Sequence, residues 1–331
     1  MYDRSVAQNK RFVFLADATA ETGVGHIRRC ITIAQELKNK NIEILFVGNI
    51  EIPWLLVELR FHEFNYERNI VANKNDILIV DLYTLNYKQK KFISQPFYSV
   101  VQIIDSESEI IDADIYIHPG PNSKLGYNDK LKGKKYFGGT KYLITRNFHA
   151  EHHIEKLISP SEVLVLAGGT DYEDFASSIY PILNSLRLNN LRFHLMVRDI
   201  SNFSDLEHNF SVHKIGIDLE NIVRQVDTVL TAAGTSSWDF IANSKVSGVA
   251  LAINNQSDNF HFQVSNGYAV SIGQFHKNFG WRFEVDNIKN LLSNLVARRE
   301  MLSLNQKTFD LNGPKRLIQE LLDSINIDPS K

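Results

Sequence analysis

Short apolar runs, each followed by a stretch with helical spacing, recur through the first half of the chain and again through the second. This doubled alternation limits the fold more than any other feature. The first series comprises Phe12 to Ala16, Ile42 to Val47, Ile77 to Val80, Val100 to Ile104 and Ile115 to Ile117. The second comprises Val163 to Ala167, Phe193 to Val197, Thr228 to Thr231, Val249 to Ile253 and Ala269 to Ile272. Continuous apolar strands separated by helices predict parallel sheets covered on both faces. At 331 residues the chain exceeds the size of one hydrophobic core. The expectation is therefore two similar α/β domains, 1–150 and 151–331, facing a cleft. The boundary is placed in the stretch Asn147 to Pro160, which lacks a strand pattern. Pro314 to Ser324, with Leu317, Ile318, Leu321 and Leu322 on one face, predicts an amphipathic helix that closes the second domain.

Strands of a parallel sheet offer ligands their carboxyl ends, and the polar residues there carry the chemistry. After the first run stands Thr22-Gly23-Val24-Gly25-His26. The spacing of Ile27, Cys30, Ile31, Ala34 and Leu37 predicts a helix beyond it, with Arg28, Gln35, Glu36 and Lys38 on the other face. His26 then falls in the first turn, where the helix dipole disfavours the imidazolium and leaves a base able to accept a proton. A histidine that bonds a neighbouring loop fits the same motif. The turn lacks the dinucleotide fingerprint, and no acidic residue sits in the usual place after the second strand, so no nicotinamide cofactor is expected.

Further strand ends carry Asp81-Leu82-Tyr83 and Asp105-Ser106, and the second half has the turns Gly168-Gly169-Thr170-Asp171 and Ala232-Ala233-Gly234-Thr235-Ser236-Ser237. The last resembles a phosphate cradle, in which small residues let the backbone approach an anion at a helix start. Each turn is equally a tight connection that needs glycine for its dihedrals. Neither is a Walker loop.

Composition narrows the partners. A net charge of -2 gives no reason to expect nucleic acid. The single cysteine, Cys30, excludes an intrachain disulfide and a thiolate metal cage, which fits a reducing compartment. No apolar signal core occurs in residues 1–11, and no run approaches the roughly eighteen apolar residues of a membrane span, so a cytoplasmic protein is expected. His149, His152 and His153 have no carboxylate or thiolate pattern nearby and are read as a solvated linker, with no metal site expected.

Taken together, these blocks resemble a family: the UDP-2,4-diacetamido-2,4,6-trideoxy-β-L-altropyranose hydrolases of pseudaminic acid biosynthesis, with the related spore-coat polysaccharide proteins. Ala16-Asp17 through Gly23-Val24-Gly25-His26-Ile27-Arg28-Arg29-Cys30 resembles the opening Ala-Asp…Gly-x-Gly-His-x-x-Arg-Cys. Asp81-Leu82-Tyr83, Lys141 to Phe148, Gly168 to Asp171, Ala233 to Trp238, Asn255-Gln256 and Asp310 to Arg316 follow the remaining blocks in order.

The resemblance implies a glycosyltransferase-B architecture, two Rossmann-like domains with the nucleotide on the C-terminal one and the sugar facing the N-terminal one. It implies metal-independent hydrolysis of a UDP-linked deoxyamino sugar, without a cofactor, in which His26 activates water at the anomeric carbon and Tyr83 helps hold the water or sugar. Asp17, Gly23, Gly25, Asp81, Asn255 and Gln256 would then bind substrate, and Gly168, Gly169, Thr170, Gly234, Thr235, Ser236, Ser237 and Asp239 the nucleotide. The chain departs from the pattern at Asp239, where a glutamate is usual for the ribose hydroxyls. It departs again at Ser244 to Gly248, in place of Gly-x-Pro, and at Ile253-Asn254, in place of Ala-Asp.

A glycosyltransferase on the same scaffold is the competing reading, and a non-catalytic sugar-nucleotide sensor a third. A transferase needs an acceptor surface. The apolar stretch Ile50 to Val57, with Trp54, is read instead as a buried helix start.

Overall fold

The computed structural model describes residues 10–19, 21–105, 108–121, 131, 133–148, 159–203, 206–216 and 218–327. It divides into two units, Met1–Ile144 with Asn312–Lys331, and Thr145–Leu311. The linker histidines His149, His152 and His153, and Ser106, lie outside the described residues.

In the first unit the strands are β1 (Arg11–Ala16), β2 (Glu43–Val47), β3 (Asn65–Glu67), β4 (Ile77–Asp81), β5 (Ser99–Ile103), β6 (Ile115–Ile117) and β7 (Lys135–Phe137). They form one parallel sheet in the order β3-β2-β1-β4-β5-β6-β7. Strand order reverses between β1 and β4, the place where such sheets bind ligands. The helices α1 (Gly25–Lys38), α2 (Pro53–Phe61) and α3 (Tyr87–Ile93) connect them. The apolar runs are continuous because both sheet faces are covered. Phe12, Phe14 and Ala16 pack with the apolar face of α1, while Val13 and Leu15 pack into a separate cluster with Leu78 and Val80.

The second unit repeats the plan with β8 (Glu162–Leu166), β9 (Arg192–Val197), β10 (Phe210–Lys214), β11 (Thr228–Ala232), β12 (Val246–Leu251), β13 (Val270–His276) and β14 (Gly280–Phe283). Their order is β10-β9-β8-β11-β12-β13-β14, with only β14 antiparallel to its neighbour. Its helices are α4 (Phe175–Ser185), α5 (Leu219–Gln225), α6 (Thr235–Ala242), α7 (Ser257–Ser265), α8 (Val285–Ser293) and α9 (Leu295–Thr308). At the amino ends of the strands, Asp227 just before β11 accepts from Ser161 N, Glu162 N and Arg298 Nη2. Lys245 just before β12 is buried, donates to Val226 O, and is pulled down by burial to about 8.

All of the apolar runs become strands. The four strands that no apolar run foretold, β3, β7, β10 and β14, are the edges of the two sheets. Edge strands bury one side at most, so their residues need not be continuously apolar.

The domain expectation needs two corrections. Residues 145–148 join the second unit, because Phe148 packs with Leu164, Leu166 and Phe240, and its N–H donates to Asn243 Oδ1. The final helix, α10 (Gly313–Ser324), belongs to the first unit and not the second. Leu317, Ile318, Leu321 and Leu322 enter the core around α1, and Gly313 lies so close to Leu143 O that a Cβ would stand 2.2 Å from it. Trp54 opens α2 beside Pro53, half-buried, with the Arg28 guanidinium 4.7 Å over its ring.

Candidate active site

At the carboxyl edge of the first sheet, neighbouring strands bring together residues far apart in sequence. Ala16 at the end of β1 pairs in register with Asp81 at the end of β4, and β5 lies beyond β4. Gly23, with φ +72, turns the chain, and Gly25 opens α1. His26 is therefore the second residue of α1, buried, and faces the end of β4.

Its ring is gripped on one side. Nδ1 lies 2.6 Å from Asp81 Oδ1. Arg29, one turn on along α1, holds the same carboxylate with Nε to Oδ2 at 2.5 Å and Nη2 to Oδ1 at 2.5 Å. Arg29 also reaches Asp105 Oδ2 at 3.3 Å, and the Cys30 thiol donates to Asp81 Oδ2 at 3.6 Å. Tyr83 sets its ring edge-on to His26, centroids 4.3 Å apart.

Burial alone would push the Asp81 carboxyl up, but the Arg29 and His26 charges outweigh it and pull it down to about 2. Burial works against the Arg29 cation too, and Asp81 overrides it, raising its value. The Cys30 thiol is pushed well up by burial and by Asp81, so it stays protonated. The result is a fixed carboxylate with a permanent cation and an imidazole on it.

In the second unit the turns after β8 and β11 flank the corresponding reversal of strand order. Gly234 precedes α6 with φ -75 and ψ -175, a conformation open to any residue, so its dihedrals do not require glycine. Space does. A Cβ at Gly234 would stand 3.3 Å from Gln256 Nε2, and the buried Gln256 Oε1 has no hydrogen-bond partner. Asn255 and Gln256 lie in a single helical turn, Asn254–Gln256, after β12. The Asn-Gln block and the glycine turn, distant in sequence, thus form one place.

Gly168, with φ +65, Gly169 and Thr170 are half-buried on the turn after β8. That turn continues through three left-handed residues, Asp171, Glu173 and Asp174, each a strained conformation for a non-glycine. The Asp171 carboxyl accepts Ala176 N at the start of α4, and burial pushes it up to about 6.

Several expected ligand contacts are spent within the protein. Asp17 accepts from Asn49 N at 2.7 Å and Gln89 Nε2 at 2.9 Å, bracing the loops around it. Asp81 is fully buried, and its carboxylate is taken up by His26 and Arg29. Ser237 is fully buried, donating to Gly234 O and accepting from Gln263 Nε2, each at 2.6 Å, which leaves Gly234, Thr235 and Ser236 as the half-buried residues of that turn. Asp239 gives both oxygens to Arg146, from N at 2.9 Å, Nε at 2.8 Å and Nη2 at 2.6 Å. Arg29 and Gln263 were missed as partners. The signal for Arg29 was available: three residues past His26 on one helix, it must share that face. Among the described residues, no three His, Cys, Asp or Glu side chains gather to hold a metal ion. No helix there is long and apolar enough to cross a membrane.

No family model matches the chain. It is 20% identical over 274 residues to a Campylobacter jejuni protein named UDP-2,4-diacetamido-2,4,6-trideoxy-beta-L-altropyranose hydrolase, covering 78% of this chain and 98% of that protein. Among solved structures, it resembles Acinetobacter baumannii MurG with a TM-score of 0.62 at 12% identity, covering 95% of this chain and 100% of that one. A Staphylococcus aureus MnaA–UDP co-structure gives a TM-score of 0.61 at 12% identity over 97% of this chain and 98% of that one. The spinosyn forosaminyltransferase SpnP gives 0.64 at 11% identity, over 96% of this chain and 99% of that one. The two parallel sheets and these likenesses place the chain in the glycosyltransferase-B type fold, built from two Rossmann-like domains.

Proposed function

We propose that the protein hydrolyses a nucleotide sugar, releasing UDP and a free deoxyamino sugar. The observation that carries the proposal is the buried His26–Asp81 pair at the carboxyl edge of the first sheet. A buried carboxylate that accepts from Nδ1 leaves Nε2 as the proton acceptor, the arrangement of a general base. The Campylobacter jejuni relative, whose printed name is that of a UDP-sugar hydrolase, supports the choice of reaction and nucleotide.

In this reading water gives a proton to His26 Nε2 as its oxygen forms a bond to the anomeric carbon. The bond from that carbon to the β-phosphate oxygen breaks, and the electron pair leaves with UDP. Tyr83, against the His26 ring, orients the water or the sugar. The backbone at Gly234, Thr235 and Ser236, at the start of α6, donates to the diphosphate, and Gln256 supplies a side-chain contact. Gly168, Gly169 and Thr170 complete the nucleotide side, and Asn255, next to Gln256, contacts the substrate. Asp239 serves as the anchor of Arg146 and not as a ribose acceptor. These donors replace a divalent metal, so turnover is expected to survive EDTA.

Incubation with UDP-, GDP- and CMP-sugars, with products followed by NMR, tests the proposal. Free UDP and free sugar without an acceptor are expected. Turnover only with an acceptor hydroxyl would make the protein a transferase, and loss of turnover on chelation, restored by Mg²⁺, would overturn the metal-free account.

A further inference from the structure

The carboxylate that holds His26 is shared with a cation. Asp81 Oδ1 receives both His26 Nδ1 and Arg29 Nη2, and Nη2 lies 3.0 Å from Nδ1. A guanidinium offers donors only and an anionic oxygen accepts only, so the proton at this junction sits on Nδ1. Around the ring stand Arg29 and Cys30 from α1, Asp81 from β4, Tyr83 from the loop after it, and Asp105 beyond β5, joined through Arg29. Cys30 stays protonated, which leaves two carboxylates against one cation. Without Arg29 the imidazole would face those carboxylates with this cation gone, and they would favour a proton on it.

We propose that Arg29 is a positioning residue: its guanidinium locks Asp81 in the orientation that receives His26 Nδ1–H, and its charge offsets Asp81 and Asp105 so that Nε2 stays a base. The role rests on the hydrolase reading, but its test does not need substrate. The surroundings fit a permanent charge. Arg29 is buried, its fork meets the carboxylate with two bonds, and Asp81 is held ionised far below neutral pH. A lysine could supply the charge but not the fork.

The test compares wild type with Arg29→Gln and Arg29→Lys, using ¹⁵N-labelled histidine to read the charge state and tautomer of the His26 ring across pH. With Arg29→Gln the ring is expected to stay imidazolium to a pH higher by about one unit or more, a tenfold change in the proton equilibrium. The acid limb of the pH–rate profile for UDP release should move with it. Arg29→Lys should keep the ring close to wild type while lowering the rate, because the charge remains and the fork is lost. A folded Arg29→Gln protein with wild-type ring signals overturns the proposal. If that variant does not fold, Asp105→Asn decides, since its partly exposed carboxylate can be neutralised with the Arg29–Asp81 pair in place. It should shift the ring the opposite way, and an unmoved ring overturns the proposal. An inactive wild type would overturn the hydrolase reading and leave the ring measurement standing.

Discussion

The two sheets share one strand order and differ in the direction of the last strand, and each carries a carboxylate brace at the same place. In the first unit Asp76, just before β4, takes Arg11 from the start of β1. In the second, Asp227, just before β11, takes the backbone ahead of β8 and Arg298. At the opposite edge the units diverge. The first buries Arg29, Asp81 and His26 at its strand ends, whereas the second presents Gly234, Thr235 and Ser236 there, with Asp171 and Asp239 buried nearby, and places Lys245 and the Asp227–Arg298 pair at the amino end. A shared topology thus sets buried charge that braces the amino edge apart from the chemistry proposed for the carboxyl edge. Under the proposed function it also divides the chemistry itself, with proton transfer assigned to one unit and anion binding to the other.

The sharpest attempt to break this contrast is His26→Ala. It should lower UDP release by about 10²–10⁴ while leaving UDP affinity near wild type by calorimetry. Equal losses of rate and affinity would put His26 on the phosphate. The complementary change at the amino edge, Arg298→Ala, should cost about 3–5 kcal/mol of stability by stranding the buried Asp227, with turnover per folded molecule unchanged. A selective loss of rate there would erase the distinction between the edges.

Gly234→Val should weaken UDP binding by about tenfold, or 1.4 kcal/mol, because the new side chain crowds Gln256 and the approach to the backbone. Unchanged affinity would remove the cradle from that turn.

The smallest expected effect is that of Asp171→Asn. A carboxyl raised to about 6 in the folded protein stabilises it fully below the unfolded value near 4, and that contribution is lost as pH rises through 6. The amide should therefore raise the melting temperature by a few degrees at pH 7.5 and not at pH 4. A gain at both values would mean that burial of the charge is not the cause.

The interior strands and α1 were legible because burial on both faces leaves only apolar residues to choose from. The edge strands were not, since solvent on one side permits residues such as Asn65 and Glu67. Within the site, His26 and Tyr83 could be singled out because a glycine turn and a strand end mark their positions. The partners of Asp17, Ser237 and Asp239 could not. Each carboxylate or hydroxyl reads alike whether it meets a ligand or, as with Arg146 on Asp239, a side chain 93 residues away. The contact of Gln256 with Gly234 depends on β12 lying beside β11, which no local pattern encodes.

The return of α10 to the first unit sets an order of events on the ribosome. Residues 11–144 emerge first, yet the core around α1 stays open until Leu317, Ile318, Leu321 and Leu322 arrive. Burying such side chains is worth about 1.5–3 kcal/mol each, and together they rival the net stability of a domain, about 5–15 kcal/mol. Residues 145–311 are contiguous and hold their own core, so they can fold during synthesis while the half bearing His26 waits with apolar surface exposed. The last unit to be sealed is the first to be translated, and a chain cut before residue 312 would lose the half that holds His26 while keeping the half that holds Gly234.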